Sequence, residues 1–148
     1  MTEPFYHPIY FDAQELLPPE VYSLTGNGGL RLFDTDILQS LDAFRDYCQF
    51  PFTINTWREV GAGSKMAMCY RGYRPPSCKI GAPMSGHKKG VCFDISCSNL
   101  DYLAELVVKA GRSFRITRME NPKITIPKGY IHLEFACKLG GVVRIFNP

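Results

Sequence analysis

The stretch Ser85-Gly86-His87-Lys88-Lys89-Gly90-Val91-Cys92-Phe93-Asp94-Ile95-Ser96 decides how this chain is built. Alternate side chains of a strand face opposite ways, so from Gly90 onward Val91, Phe93 and Ile95 share a core face while Cys92, Asp94 and Ser96 share the other. Asp94 therefore falls mid-strand among apolar neighbours, where a carboxylate is costly unless it is solvated, paired or bound to a cation. Tyr130-Ile131-His132-Leu133-Glu134-Phe135 repeats the pattern and puts His132 and Glu134 on one face. His87 lies seven residues before Asp94, at the end of a glycine-containing loop, so His87, Asp94 and His132 can converge. Two imidazoles and a carboxylate leave a fourth tetrahedral position open for water, the catalytic rather than the structural pattern of zinc. Spacing alone leaves a plainer alternative open: a buried, hydrogen-bonded histidine or a solvated acid.

Outward from these strands the chain reads as α+β. Asp34 or Thr35 caps a helix whose Ile37, Leu38, Leu41, Phe44 and Cys48 recur at helical steps. Phe52 to Trp57 is expected to be a strand, and Gly61 to Ser64 a turn before an extended segment through Met66, Met68 and Tyr70. Arg74 to Ser85 contains three prolines and reads as a surface loop. Ser98 with Asp101 suggests a capping box for a helix that buries Leu100, Leu103, Leu106, Val107 and Ala110 and ends at Gly111. Ser113 to Met119, Tyr130 to Cys137 and Gly141 to Phe146 complete the strands. The expected architecture is a single domain over 1–148, with 1–12 as an extended N-terminal segment and helices outside a largely antiparallel sheet.

Composition bounds the function. At 148 residues and 45% hydrophobic the chain can bury a core without disulfides. No apolar run approaches the roughly 20 residues of a membrane span. A net charge of +3, spread along the chain, leaves no electrostatic footprint for nucleic acid. The six cysteines show no CxxC pair and read as reduced, mostly buried thiols, and a structural zinc site built on Cys92 and Cys97 lacks the paired spacing. Met1 to Tyr10 holds Glu3, aromatics and prolines in place of a basic and then apolar leader, so no secretory signal is expected.

The segment Ser85 to Asp94 resembles the Ser-x-His-x-x-Gly-x-Ala-x-Asp signature of zinc D-Ala-D-Ala carboxypeptidases and the related phage endolysin peptidases. Tyr130-Ile131-His132-Leu133-Glu134 is similar to their later aromatic-x-His-x-acid strand, and Tyr70-Arg71-Gly72-Tyr73-Arg74-Pro75 to their Ser-Gly-Tyr-Arg segment. The likeness extends loosely from about Glu15 to Pro148, and it includes Ile54-Asn55-Thr56-Trp57. It implies a hedgehog/DD-peptidase-like fold and one Zn2+ held by His87, Asp94 and His132. It also implies Arg74 as the cation for a substrate carboxylate or oxyanion, and Ser85 as a hydrogen-bonding residue that shapes the loop. The plainer alternatives are a surface ion pair for Arg74 and an ordinary turn serine for Ser85.

Two departures bear on mechanism. Relatives carry the general base three residues before the last histidine, where this chain has Gly129. Glu134 and Glu120 are the candidates to replace it. Cys92 stands where the signature has Ala, either as an extra ligand or simply packed there. The function implied is a metallopeptidase acting on D-amino-acid amide bonds of peptidoglycan peptides, a cell-wall-degrading hydrolase of phage or bacterial origin. The alternative is a zinc-binding, non-hydrolytic protein of the same fold that partners other virion proteins. Without a leader, the expected location is a host cytoplasm before lysis, or the virion.

Overall fold

Strand pairing around one central segment organises the molecule. In the computed structural model, which describes residues 5–57, 69–82, 84–136 and 140–148, β3 (Ile131–Phe135) runs antiparallel between β1 (Cys92–Ile95) and β2 (Ile116–Glu120). β4 (Arg144–Phe146) pairs with the far edge of β2, giving the order β1-β3-β2-β4. The expected α+β class holds, and the sheet is mixed, antiparallel in two of its three pairings. Both edges of β3 are already taken, and the strand that turns back after β3 pairs with β2 and runs parallel to it.

Alternation divides the sheet as the sequence suggests. Phe93, Ile95, Ile131, Leu133 and Phe135 are fully or almost fully buried on one face, and Asp94, His132 and Glu134 lie on the other. β2 meets the same division by a register shift. Ile116 pairs with Phe135, but Arg118 pairs with Glu134, so one extra residue is accommodated around Thr117. A bulge of this kind re-aims side chains. Ile116 and Met119 both enter the core, and Arg118 and Glu120 both turn to the Asp94 face.

Two long helices cover the apolar face. α3 (Thr35–Cys48) follows the short α1 (Ala13–Leu16) and α2 (Pro19–Thr25), and Asp34 caps it by accepting from the Asp36 N–H at 2.8 Å. Its Ile37, Leu38, Leu41, Phe44 and Cys48 are all buried, as their spacing requires. In α4 (Leu100–Ala110) the buried residues are Leu103, Ala104, Leu106 and Val107. Each fully buried Leu, Val or Phe contributes about 1.5–3 kcal/mol of burial free energy. α5 (Pro122–Thr125) and a 3₁₀ turn lead back into β3.

Several expectations are corrected. The cap of α4 is Asn99, whose side chain accepts from Tyr102 N, rather than Ser98. Gly111 does not stop that helix in a left-handed turn: the chain continues as a 3₁₀ turn through Phe114, and β2 therefore starts at Ile116 rather than Ser113. The Gly26 to Gly29 cluster lies in a 3₁₀ segment reaching Leu32. Phe52 to Trp57 is not a strand. Thr53 makes a single bridge with Ser96, and Asn55 is drawn away because its N–H bonds to Glu15 O and its Oδ1 accepts from Arg71 N and Gly72 N. The expected turn at Gly61 to Ser64, most of the extended segment after it, and Cys137 lie outside the described residues. Cys48, Cys69, Cys78, Cys92 and Cys97 are free thiols, and no helix among the described residues is long and apolar enough to cross a membrane.

Candidate metal centre

The strand register alone brings two of the three expected ligands together, since Asp94 and His132 are direct Cα partners. His87 arrives from the 3₁₀ turn Gly86–Lys89, whose geometry is set at both ends. Ser85 Oγ accepts from the His87 N–H at 3.3 Å, and Gly90 closes the turn at φ +69°. A Cβ on Gly90 would lie 2.6 Å from Leu32 O, so glycine is required both for the backbone angle and for the close approach. The neighbouring loop is locked to this turn by Arg74 N donating to His87 O at 3.0 Å.

The three donor atoms form a compact triangle with two nearly equal sides and one shorter side. His87 Nε2 is 3.2 Å from His132 Nδ1 and 3.3 Å from Asp94 Oδ1, and His132 Nδ1 is 2.7 Å from Asp94 Oδ1. A tetrahedral ion with metal–ligand distances of about 2.0–2.1 Å sets its donor atoms roughly 3.3 Å apart. Two sides already have that length. The third is the length of a hydrogen bond, and a cation replacing the shared proton needs to open it by only about half an ångström. His87, Asp94 and His132 therefore form a group that could hold a metal ion.

Each ligand is held by an outer partner, which is how metal sites fix tautomer and orientation. His87 Nδ1 donates to Gly72 O at 2.8 Å, which leaves Nε2 to present a lone pair to the triangle. Gly72 can supply that carbonyl because a Cβ there would collide with the Leu16 backbone. Arg74 Nη2 bonds Asp94 Oδ2 at 3.3 Å and so turns the other oxygen, Oδ1, toward the histidines. Glu134 Oε1 lies 3.4 Å from His132 Nε2.

The electrostatics match a site that takes a cation in exchange for a proton. Burial penalises the Asp94 charge, but the His132 and His87 imidazoles that face it more than offset this and hold its carboxyl well below the usual carboxylate range. Burial likewise opposes a charged His132, yet Asp94, Cys92 and Glu134 together push it up to about 12. Glu134 is lowered, first by its bond to His132 and then, against desolvation, by Arg118.

The triad opens into a cleft of about 520 Å³. Arg74 lines it, but it is already engaged: Nε donates to Tyr70 O at 2.7 Å, Nη1 to Ile80 O and Nη2 to Asp94. Its terminal nitrogens retain N–H groups beyond these bonds, and its main visible task is to hold Asp94. Glu134 is also engaged, between His132 and an ion pair with Arg118 at 3.0 Å. Glu120 differs. It lines the cleft one residue past the Met119–Leu133 pair, which continues the cross-strand row beyond His132, and it has no hydrogen-bond or ion-pair partner among the described residues. Gly129, at φ +89° in the turn before β3, offers no acid.

Sequence reasoning missed Arg118 and Phe146. Arg118 sits 4.0 Å from the Phe146 ring centroid, and that ring meets His132 edge-on at 6.0 Å, so the pair walls one side of the site. Arg118 was in principle accessible, since it shares a strand face with Glu120. Phe146 was not, because only the parallel pairing of β4 with β2 brings it there. Comparison of the chain with family models, with curated proteins and with solved structures finds no match.

Proposed function

We propose that this protein is a zinc metallopeptidase of the hedgehog/DD-peptidase type that hydrolyses D-amino-acid-containing amide bonds in peptidoglycan peptides. The observation that carries the metal part is the triangle of His87 Nε2, Asp94 Oδ1 and His132 Nδ1, with sides of 3.2, 3.3 and 2.7 Å, open on one side to a cleft. The substrate part rests on the three sequence segments that resemble the wall peptidases and on their meeting at one site.

Zinc in this triangle would polarise a scissile carbonyl and lower the pKa of a water toward about 7. The chain's own groups would do the rest. Glu120, facing the cleft without a hydrogen-bond or ion-pair partner among the described residues, is best placed to accept the proton of an attacking water and to pass it to the leaving amine. Glu134 keeps His132 in the orientation that aims Nδ1 at Asp94. Arg74 fixes Asp94 and has N–H groups left for a developing oxyanion or a substrate carboxylate.

A zinc-binding but non-hydrolytic role, as a virion component, is the alternative. It is favoured by Gly129 at the usual base position and by the engagement of Glu134 with Arg118. The two roles separate in one experiment: zinc content by elemental analysis and release of new amino termini from purified peptidoglycan, for wild type, His132→Ala, Glu120→Gln and Glu134→Gln. The peptidase role requires zinc and cleavage in wild type and loss of both in His132→Ala. In Glu120→Gln, zinc should be retained while kcat falls by about 10²–10⁴. Zinc without cleavage on several wall types would establish the non-hydrolytic role, and absence of zinc would overturn both.

A further inference from the structure

His132 has a second nitrogen, and the centre described above uses only one. Glu134 stands on the Nε2 edge of the ring, 3.4 Å away. Cys92 is the Cα partner of Glu134 across β1 and β3. One donor atom from each of Cys92, His132 and Glu134 lies within 4.8 Å of the others. The sulfur is fully buried, and it lies directly beneath Gly86, where any Cβ would collide with it. His132 and Glu134 are exposed to the cleft. A thiol, an imidazole and a carboxylate converging from neighbouring strands are the donor set of a thiophilic divalent cation, distinct in softness from the first triangle.

We propose that Cys92, His132 and Glu134 form a second cation site, selective for thiophilic ions, that competes with the first for His132. The competition follows from imidazole chemistry. A neutral ring has one N–H and one lone pair. With a cation on Nδ1, the proton lies on Nε2 and donates to Glu134. With the proton on Nδ1, donated to Asp94 Oδ1 at 2.7 Å, the Nε2 lone pair is left on the Glu134 side of the ring, 3.4 Å from Oε1. Binding there forms a sulfur–metal bond and releases the Cys92 thiol proton to solvent. The two sites are therefore alternatives selected by the tautomer of one residue. This inference rests on the cluster geometry and does not require hydrolysis.

The test is titration of the full-length, zinc-loaded protein with Cd2+, following the ultraviolet sulfur-to-cadmium charge-transfer band and the release of zinc. Wild type should develop the band as zinc leaves. His87→Ala, which damages only the first site, should keep it. Cys92→Ala should lose the band while still binding zinc, and Cys92→Ser, which keeps the volume but removes the soft donor, should lose it as well. Glu134→Gln should bind cadmium at least about tenfold more weakly. A band that survives in Cys92→Ala and Cys92→Ser belongs to another thiol and overturns the proposal, as does a wild type without a band or a Glu134→Gln that titrates like wild type. Failure of zinc to bind wild type would sink both zinc-binding roles proposed above and leave the Cys92 site to be judged by the cadmium band, which is read separately.

Discussion

Asp42 in α3 and Asp94 in β1 are the two buried acidic side chains among the described residues, at 4% and 6% exposure, and they are satisfied in opposite ways. Asp42 is surrounded only by hydrogen donors from one segment. Tyr6 OH donates to Oδ2 at 2.5 Å, Ile9 N to Oδ2 at 2.7 Å and Tyr10 N to Oδ1 at 3.1 Å. The two backbone N–H groups have no lone pair to turn toward a cation, and the phenol gives its proton to Oδ2, so the cluster is a clasp that ties the N-terminal segment to α3. Asp94 meets two imidazoles and a guanidinium from three separate parts of the chain. Its imidazole partners can exchange protons for a metal, while Arg74 occupies the oxygen that is not needed. Burial of a carboxylate therefore does not by itself mark a metal ligand. What marks it is the kind of atom that faces it.

The largest expected effect separates the two residues outright. Asp94→Asn keeps shape and volume but removes the charge, and it should weaken zinc binding by more than the roughly 100-fold seen when only a hydrogen-bond partner of a ligand is lost. Competition against a chromophoric chelator measures this. Asp42→Asn in the same assay should bind zinc as wild type does. Equal losses in the two variants would mean that Asp94 acts through the fold rather than as a ligand.

Asp42→Ala reverses the pattern. It strands two backbone N–H groups and a phenol that bonded a charged acceptor, and such bonds contribute about 1.5–3 kcal/mol each, partly recovered here because the freed segment can hydrate. The expected cost is about 2–3 kcal/mol by urea unfolding, with earlier proteolysis ahead of Ala13 and unchanged zinc stoichiometry. A variant as stable as wild type would show that the clasp contributes nothing to the fold.

The same pair shows what was legible in the sequence. Asp94 stood out because alternation in Val91 to Ile95 is a short-range signal, and a charge that breaks a strand's apolar neighbourhood is visible without knowing the partners. Asp42 did not, because on a helix it sits beside the apolar stripe of Leu38 and Leu41, where an acid usually faces water. The helices with strong periodicity, α3 and α4, were readable, as were the cores of β1 and β3. The short α1 and α2 lack the length for a periodic signal. The order β1-β3-β2-β4, the shift at Thr117 that aims Arg118 and Glu120 into the cleft, and the parallel entry of Phe146 are all pairings between distant segments, and local patterns do not encode them. His87, Asp94 and His132 were found together through resemblance to known segments. The role of Arg74 in orienting Asp94 needed the geometry.

The smallest expected effect sharpens the comparison through pH. Tyr6 is raised from 10.0 to about 12, by burial first and then by its bond to Asp42. The folded state thus holds the phenolic proton more tightly than the unfolded state. The bond's contribution is full below pH 10 and is lost as pH rises toward about 12. Tyr6→Phe removes the hydroxyl and should cost about 1 kcal/mol at neutral pH. The difference in Tm between wild type and Tyr6→Phe should then narrow between pH 10 and about 12. Other groups that titrate in this range, among them Tyr10 and Cys48, are common to both proteins and cancel in the difference. A difference near zero at every pH would mean that the hydroxyl contributes nothing to the clasp. Asp42 would then be held by the amides of Ile9 and Tyr10 alone, and its contrast with Asp94 would be between backbone donors and side-chain ligands.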